Sequence, residues 1–189
     1  MSKMEKTIQT KIRNAKLSDS EGIYKLAESV KINFENPQKY GFLVYSKDYK
    51  KIIKYSKYFY VIKKEENILA FLMCYDNQIL EKLISFGEFS HEDKIIEFVS
   101  KQKKPYLFGD QIAVSQKNNL KGIGKKLMLR LFRDMINNNI TDIYVGILHE
   151  PIKNMASLNF CNSFGFSQIA EVKNKDNLVW GIYKLNIEK

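Results

Sequence analysis

The apolar positions in the first part of the chain predict a short strand over 11–15 and two helices after it. Ser18 and Glu21 form a capping box, and the apolar residues that follow recur at spacings of three and four, as in the buried stripe of a helix: Ile23, Leu26, Ala27 and Val30. A weaker helical pattern covers 47–57 and follows Ser46, a residue type that caps helices.

The next apolar runs indicate a hairpin and a third helix. The runs 58–63 and 68–75 are rich in aromatic and β-branched residues, and a short polar segment separates them, which is typical of two strands joined by a turn. Ser90 and Asp93 then offer a helix start. We expect this helix to continue through Val99.

The second half of the chain carries stronger signals. The run 106–114 predicts a strand, and the helix that begins at 122–124 has one continuous apolar face: Ile123, Leu127, Met128, Leu131, Phe132, Met135 and Ile136. The run 143–149 is apolar without alternation, as expected of a strand covered on both faces.

The last elements complete an α/β pattern. Asn154 can cap a helix, Gly165 suits a left-handed residue at its end, and 178–187 predicts a closing strand. Strands alternate with helices and no linker interrupts them. We therefore expect a single domain over residues 1–189, with a mixed central sheet flanked by helices.

Composition narrows the class of protein. The 189 residues are 44% hydrophobic and 28% charged, which excludes a disordered or collagen-like chain. The longest apolar run, 68–75, is far shorter than the roughly 20 residues of a membrane-spanning helix. Because the N-terminus also lacks the apolar core of a secretory signal, we expect a cytoplasmic protein.

Charge and metal-ligating residues add two further limits. The net charge of +10 favours an anionic partner, but it does not choose among nucleic acid, an anionic lipid surface and a phosphorylated cofactor. Cys74 and Cys161 stand apart in apolar patterns, and only two histidines accompany them. We expect buried thiols and no catalytic metal.

Residues 114–127 have the features of an anion-binding site. A strand leads into a turn where Gly122 and Gly124 leave the backbone open, and the helix that follows directs unpaired N–H groups toward it. Basic residues suited to a ligand with several phosphates surround the turn: Lys117, Lys121, Lys125, Lys126, Arg130 and Arg133. The Walker A and dinucleotide-binding patterns are absent, and a solvated basic helix start is the simpler alternative.

The same segment resembles the acetyl-coenzyme A loop of the GNAT superfamily of N-acetyltransferases, whose pattern is Gln/Arg-x-x-Gly-x-Gly/Ala after a strand ending in Val. The chain has Asn119 at the first position, with both glycines in place. A second family motif, Asn-x-x-Ala/Ser-x-x-x-Tyr-x-x-x-Gly-Phe, has Cys161 in its Tyr position and is otherwise matched by Asn154, Ser157, Gly165 and Phe166. The motifs lie in the family's order.

The resemblance implies a GNAT-like sheet that is splayed between its fourth and fifth strands, with acetyl-coenzyme A as cosubstrate in the opening. The pyrophosphate is expected on the N–H groups of the loop, and the pantetheine arm is expected to pair with the strand like an additional strand. The cofactor-binding residues implied in this way are Ile112, Ala113, Val114, Asn119, Leu120, Lys121, Gly122, Ile123, Gly124, Lys125, Asn154, Ser157 and Phe160.

The implied reaction is direct transfer of an acetyl group to a primary amine, which needs a group that accepts the amine's proton. Asp110 precedes the cofactor-pairing part of its strand, whereas His149 and Glu150 end the next strand. Asp110 could instead order a loop, and the other two could be surface residues. Cys161 stands where the family often has the Tyr that protonates the departing thiolate, but its short side chain favours packing.

Two other functions stay open. The chain could bind acyl-coenzyme A as a non-catalytic sensor, or it could be a basic RNA-binding module that uses Tyr49, Tyr55, Tyr58, Lys50, Lys51, Lys54 and Lys57. Such a run is more often the solvated face of an amphipathic helix. We therefore expect a small-molecule or peptide amine as acceptor, no nucleic acid, no membrane, and a monomer or homodimer.

Overall fold

The computed structural model describes residues 11–35, 42–90, 93–116 and 120–187, which form a single seven-stranded sheet flanked by helices. The strands are β1 (Ile12–Asn14), β2 (Tyr58–Lys64), β3 (Asn67–Asp76), β4 (Tyr106–Val114), β5 (Asp142–Glu150), β6 (Ser167–Lys173) and β7 (Val179–Asn186). Their spatial order is β1-β2-β3-β4-β5-β7-β6; β4 and β5 are parallel and the other neighbours antiparallel. The predicted mixed α/β sheet is confirmed.

Helices cover both faces of this sheet. One face carries α1 (Ser20–Ser29), α2 (Tyr49–Ile53), α3 (Asn77–Ser85) and α4 (Lys94–Ser100), and the other carries α5 (Ile123–Asn137) and α6 (Met155–Asn162). Each set packs its apolar stripe on a separate core, so β2 and β3 are buried on both faces. This explains why their sequences are almost continuously apolar. No described helix has the length and hydropathy to span a bilayer.

The elements with the strongest sequence signals form as predicted. β2 and β3 form the expected antiparallel hairpin. α5 begins at Ile123, with Gly122 before it in the left-handed region at φ 79°. Asn154 caps α6 by accepting the N–H of Ser157 at 3.1 Å, and Gly165 has the expected left-handed φ of 87°.

Ser18 does not cap the first helix, contrary to the prediction. A short 3-10 turn over Leu17–Asp19 precedes α1, and the Asp19 carboxylate accepts the N–H of Lys16 at 2.7 Å. Two nitrogens of the Arg13 guanidinium donate to the same carboxylate at 2.7 and 2.8 Å. Because Arg13 of β1 binds Asp19, it is Asp19 and not Ser18 that lies at the start of this helix as its main polar contact.

Two further local predictions differ from the structure, and two elements were not predicted. The helix expected over 47–57 is limited to α2 and is capped by Asp48 instead of Ser46. α4 begins after Asp93, whose carboxylate accepts two N–H groups of the first turn, and not at Ser90. α3 and β6 were not predicted. α3 follows β3 directly, with Asp76 as its cap and Leu80 and Leu83 buried, and β6 is an exposed edge strand whose apolar alternation is weak.

Candidate active site

The sheet opens between β4 and β5. Their parallel ladder pairs Tyr106–Gly109 with Asp142–Val145 and ends there, so the rest of β4 pairs with β3 alone. A Cβ on Gly109 would lie 2.9 Å from Val145 Cγ1, which leaves no room for a side chain at the last paired position. The predicted splay between the fourth and fifth strands is confirmed.

Asp110 lies at a β-bulge directly beyond this point. The register between β3 and β4 shifts between Gly109 and Gln111, so Asp110 has no opposite residue on β3. A bulge bends its strand and redirects a side chain. The carboxylate is 13% exposed, accepts a hydrogen bond from the Tyr75 hydroxyl at 2.8 Å, and has Lys47 Nζ at 3.5 Å. Burial, together with this carboxylate, raises the pKa of Tyr75, which therefore remains a donor.

A cavity, here called the Asp110 cavity, extends from this carboxylate into the opening between the strands. It also has Lys47 and Asp93 as charged lining groups, and seven aromatic residues line it: Phe42, Tyr45, Phe89, Phe108, Phe160, Phe166 and Trp180. The Tyr45 and Trp180 rings are stacked, with centroids 6.5 Å apart. Carboxylates with aromatic rings are suited to holding an ammonium group.

A second cavity of about 530 Å³, here called the loop cavity, lies beside the turn before α5. The predicted cofactor residues that line it are Ile112, Ala113, Val114, Leu120, Gly124, Ser157 and Phe160. The two cavities share four lining residues, namely Phe42, Ile112, Ser157 and Phe160. They therefore adjoin in the opening between β4 and β5.

The turn before α5 has the geometry of an anion cradle. A Cβ on Gly124 would lie 3.2 Å from the Phe160 ring, so only glycine leaves this backbone open without displacing a neighbour. Lys121 and Lys125 are exposed on either side of the glycines. The helix N-terminus and these lysines fit a ligand that carries phosphates. Asn119 and Lys117 lie outside the described residues.

Asn154 joins the second motif to the wall of both cavities. Its side-chain amide donates to the Phe42 carbonyl at 2.9 Å while its oxygen caps α6. Asn154 itself lines the Asp110 cavity but not the loop cavity, whereas Phe42 lines both. Ser157 and Phe160, one and two turns further along the chain, line both.

His149 and Glu150 are separated from Asp110. The His149 Nδ1 atom lies 2.7 Å from Glu171 Oε2, and its Nε2 lies 3.0 Å from the Tyr183 hydroxyl. Glu150 is exposed, and neither residue lines the Asp110 cavity or the loop cavity. Asp110 is thus the one predicted proton acceptor that these cavities contain.

Cys161 is the buried residue of α6, lies in the core that α5 and α6 share, and also lines the Asp110 cavity. Burial raises the pKa of its thiol to about 12. Such a weak acid is a poor proton donor near neutral pH. The position is consistent with the packing role that the sequence favoured.

The sequence did not single out several wall residues of the Asp110 cavity: Phe42, Tyr45, Lys47, Phe89, Asp93 and Trp180. They come from the segment before α2, the segment around the α4 start, and β7. No spacing rule connects such distant parts of the chain. Of these residues, only Asp93 was predicted to have a role, and that role was to cap a helix.

Comparisons with known proteins agree with this architecture. The sequence model of the acetyltransferase (GNAT) family matches residues 23–166. This chain belongs to the acetyltransferase (GNAT) family. No curated protein sequence matches it.

Solved structures with the same fold cover almost the whole chain. Ard1 from Thermoplasma volcanium is 14% identical, with a TM-score of 0.65 over 95% of this chain and 99% of its own. Naa20 from Chaetomium thermophilum, solved with a bisubstrate analogue, is 14% identical, with a TM-score of 0.64 over 94% and 86%. The PaiA N-acetyltransferase from Thermoplasma acidophilum, solved with coenzyme A, is 12% identical, with a TM-score of 0.61 over 95% and 99%.

Two observations bear on the alternatives from the sequence. Tyr49 and Tyr58 are buried, so of the three tyrosines considered for RNA stacking only Tyr55 has an accessible ring. Lys51 forms an ion pair with Glu88, and Lys57 forms one with Asp76.

Within 11–35, 42–90, 93–116 and 120–187, no group of three His, Cys, Asp or Glu side chains is arranged to hold a metal ion.

Proposed function

We propose that this chain is an N-acetyltransferase that moves an acetyl group from acetyl-coenzyme A directly to a primary amine held in the Asp110 cavity. The observation that carries the proposal is the meeting of two cavities at Ile112, Ser157 and Phe160, in the opening of the sheet. One cavity fits a phosphate-bearing thioester and the other fits an amine. Their shared wall brings the two reactants together, which is a large part of catalysis by proximity.

The loop cavity would hold the donor. Within the turn 120–125, the Ile123 N–H donates to the Leu120 carbonyl at 3.3 Å. The other N–H groups of the turn and the neighbouring lysines suit the pyrophosphate, and residues 112–114 leave a strand edge unpaired by β5 for the pantetheine arm. Bound acetyl-coenzyme A supplies an activated acyl group. Family membership and the relatives solved with coenzyme A or a bisubstrate analogue support this assignment.

Asp110 would accept the proton of the acceptor. Its carboxylate can hold an ammonium group and take one proton from it, because Tyr75 orders one of its oxygens and the cavity limits water access. The free amine would then attack the acetyl carbon, and those backbone N–H groups of 112–114 that do not pair with β3 would stabilise the developing oxyanion. The thiolate that leaves takes its proton from water.

Two measurements test the proposal. Acetyl-coenzyme A should raise the thermal midpoint, and a panel of monoamines, diamines and peptides should show amine-dependent release of free thiol. Binding without thiol release for any amine would favour an acyl-coenzyme A sensor. If binding is also absent and the chain is instead retained on polyanion resin in a salt-sensitive manner, the RNA-binding alternative is favoured.

A further inference from the structure

One lysine of the chain lies inside the cavity proposed to bind the acceptor amine. The Lys47 side chain lines the Asp110 cavity and is 17% exposed, compared with 34% for Lys51 and 57% for Lys57. Its Nζ lies 3.5 Å from Asp110 Oδ2 and 4.2 Å from the centroid of the Phe89 ring. A primary amine of the chain therefore already occupies the place next to the proposed base.

The backbone that carries Lys47 is attached to the walls of this site. The Tyr45 carbonyl accepts a hydrogen bond from the Gln111 amide at 2.7 Å, and Gln111 follows Asp110 on β4. Directly after Lys47, Asp48 caps α2. An amine tethered beside its reaction partner acts at an effective concentration far above that of a free amine.

We propose that Lys47 is an internal acetyl acceptor: when acetyl-coenzyme A is bound, the chain acetylates its own Lys47 Nζ. The inference rests on the proposed function, because it uses the same donor and the same base. The flexible methylene chain of a lysine lets Nζ move from Asp110 toward the wall that both cavities share.

The transfer balances without a further reactant. The Lys47 ammonium loses one proton to Asp110, and its lone pair forms a bond to the acetyl carbon as the carbon–sulfur bond of the thioester breaks. The second proton of the nitrogen ends on the sulfur, directly or through water, and Asp110 later releases the first proton to solvent. The products are an acetylated Lys47, free coenzyme A and one proton.

Modification would change the site itself. The acetyl group converts the Lys47 ammonium into a neutral amide and removes the cation that Asp110 and the Phe89 ring hold. The positive charge is therefore lost at the position where an added amine would bind.

The test needs no knowledge of an external acceptor. Wild type, K47R and K51R are incubated with acetyl-coenzyme A in the absence of added amine, followed by intact-mass measurement and peptide mapping. Lys51 is the matched control, because it lies four residues away and pairs with Glu88 outside the Asp110 cavity. We expect both wild type and K51R to gain one acetyl group on Lys47. In wild type, acetylation of Lys47 should be at least about tenfold faster than acetylation of Lys51.

Two outcomes would overturn the inference. One is equal labelling of wild type and K47R, and the other is labelling of Lys47 no faster than that of Lys51. The same samples are assayed for ligand-induced thermal upshift and for thiol release with added amines. If both are present and Lys47 stays unmodified, self-acetylation alone is wrong; if both are absent, the proposed function has failed.

Discussion

Gly124 illustrates how one missing side chain shapes the proposed donor site. A Cβ on Gly124 would lie 3.2 Å from the Phe160 ring, and both residues line the loop cavity. A larger side chain would have to displace Phe160 or enter the cavity. The sequence motif and the geometry therefore assign the same requirement to this position.

Replacing Gly124 by Val should abolish the thermal upshift caused by acetyl-coenzyme A, because the branched side chain would occupy the phosphate cradle. Leu129→Val on the exposed face of α5 is the control for placing a β-branched residue in this helix. An upshift in Gly124→Val equal to that of wild type would contradict the assignment of the loop.

Asp110→Asn should lower turnover by roughly 10²- to 10⁴-fold and leave the affinity for acetyl-coenzyme A unchanged, because the amide accepts no proton. Asp134→Asn is a matched control: Asp134 also accepts a tyrosine hydroxyl, that of Tyr60 at 2.7 Å, but lines neither cavity. A loss of less than about threefold would contradict the role of Asp110 and favour an ordered water molecule as the proton acceptor.

Cys161→Ser should keep turnover within about threefold of wild type, because the buried thiol, with its pKa raised to about 12, packs against the core and does not donate a proton. Turnover is measured at two pH values, with Cys161→Ala as a second variant if the buried serine destabilises the fold. A general-acid role would instead reduce turnover by about 10²-fold or more in both variants.

Polar partners from neighbouring elements decide where several helices begin. α1 starts beside Asp19 because Arg13 of β1 holds that carboxylate, and α6 starts at Asn154, which also binds the Phe42 carbonyl. The contact at α6 reaches the candidate active site, since Phe42 lines both cavities.

The Arg13–Asp19 contact predicts a pH-dependent contribution to stability. The hydrogen bonds from Arg13 lower the pKa of Asp19, so the stabilisation is complete above the unfolded pKa of about 3.9 and is lost as pH falls through the lower folded value. Asp19→Asn should reduce the free energy of unfolding by about 1.5–3 kcal/mol at pH 7 in urea titrations.

This difference between wild type and Asp19→Asn should narrow below pH 4. Glu21→Gln is the control, because Glu21 and Lys25 form an exposed pair on the same helix and should contribute little. A constant difference between pH 7 and pH 3.5 would show that packing, and not the ionised carboxylate, provides the stabilisation.

At the scale of the whole molecule, the net charge of +10 adds to the local attraction for an anionic donor. Affinity for acetyl-coenzyme A should fall as salt rises, because the screening length shortens from about 10 Å at 0.1 M to about 3 Å at 1 M. S-acetylpantetheine, which lacks phosphates, is the control and should show a flat response in calorimetry. Equal salt dependence of the two ligands would argue against the lysines beside the loop.

The sequence by itself determined the elements whose signals are local. The apolar face of α5, the β2–β3 hairpin, the glycine turn and the Asn154 cap each depend on residues close together in the chain, so spacing sufficed to predict them. The motif spacing, through its resemblance to a known family, also led to Asp110 and the proposed donor loop.

Only the tertiary structure decided what lies opposite Asp110. Lys47, Phe89 and Trp180 come from distant segments, namely the one before α2, the one before α4, and β7. Nothing in the sequence around each residue shows that it lines a cavity. The bulge at Asp110 and the end of the β4–β5 ladder at Gly109 are likewise properties of strand pairing. Long-range contacts select these features, because the local chain can satisfy its hydrogen bonds and bury its apolar side chains in more than one arrangement.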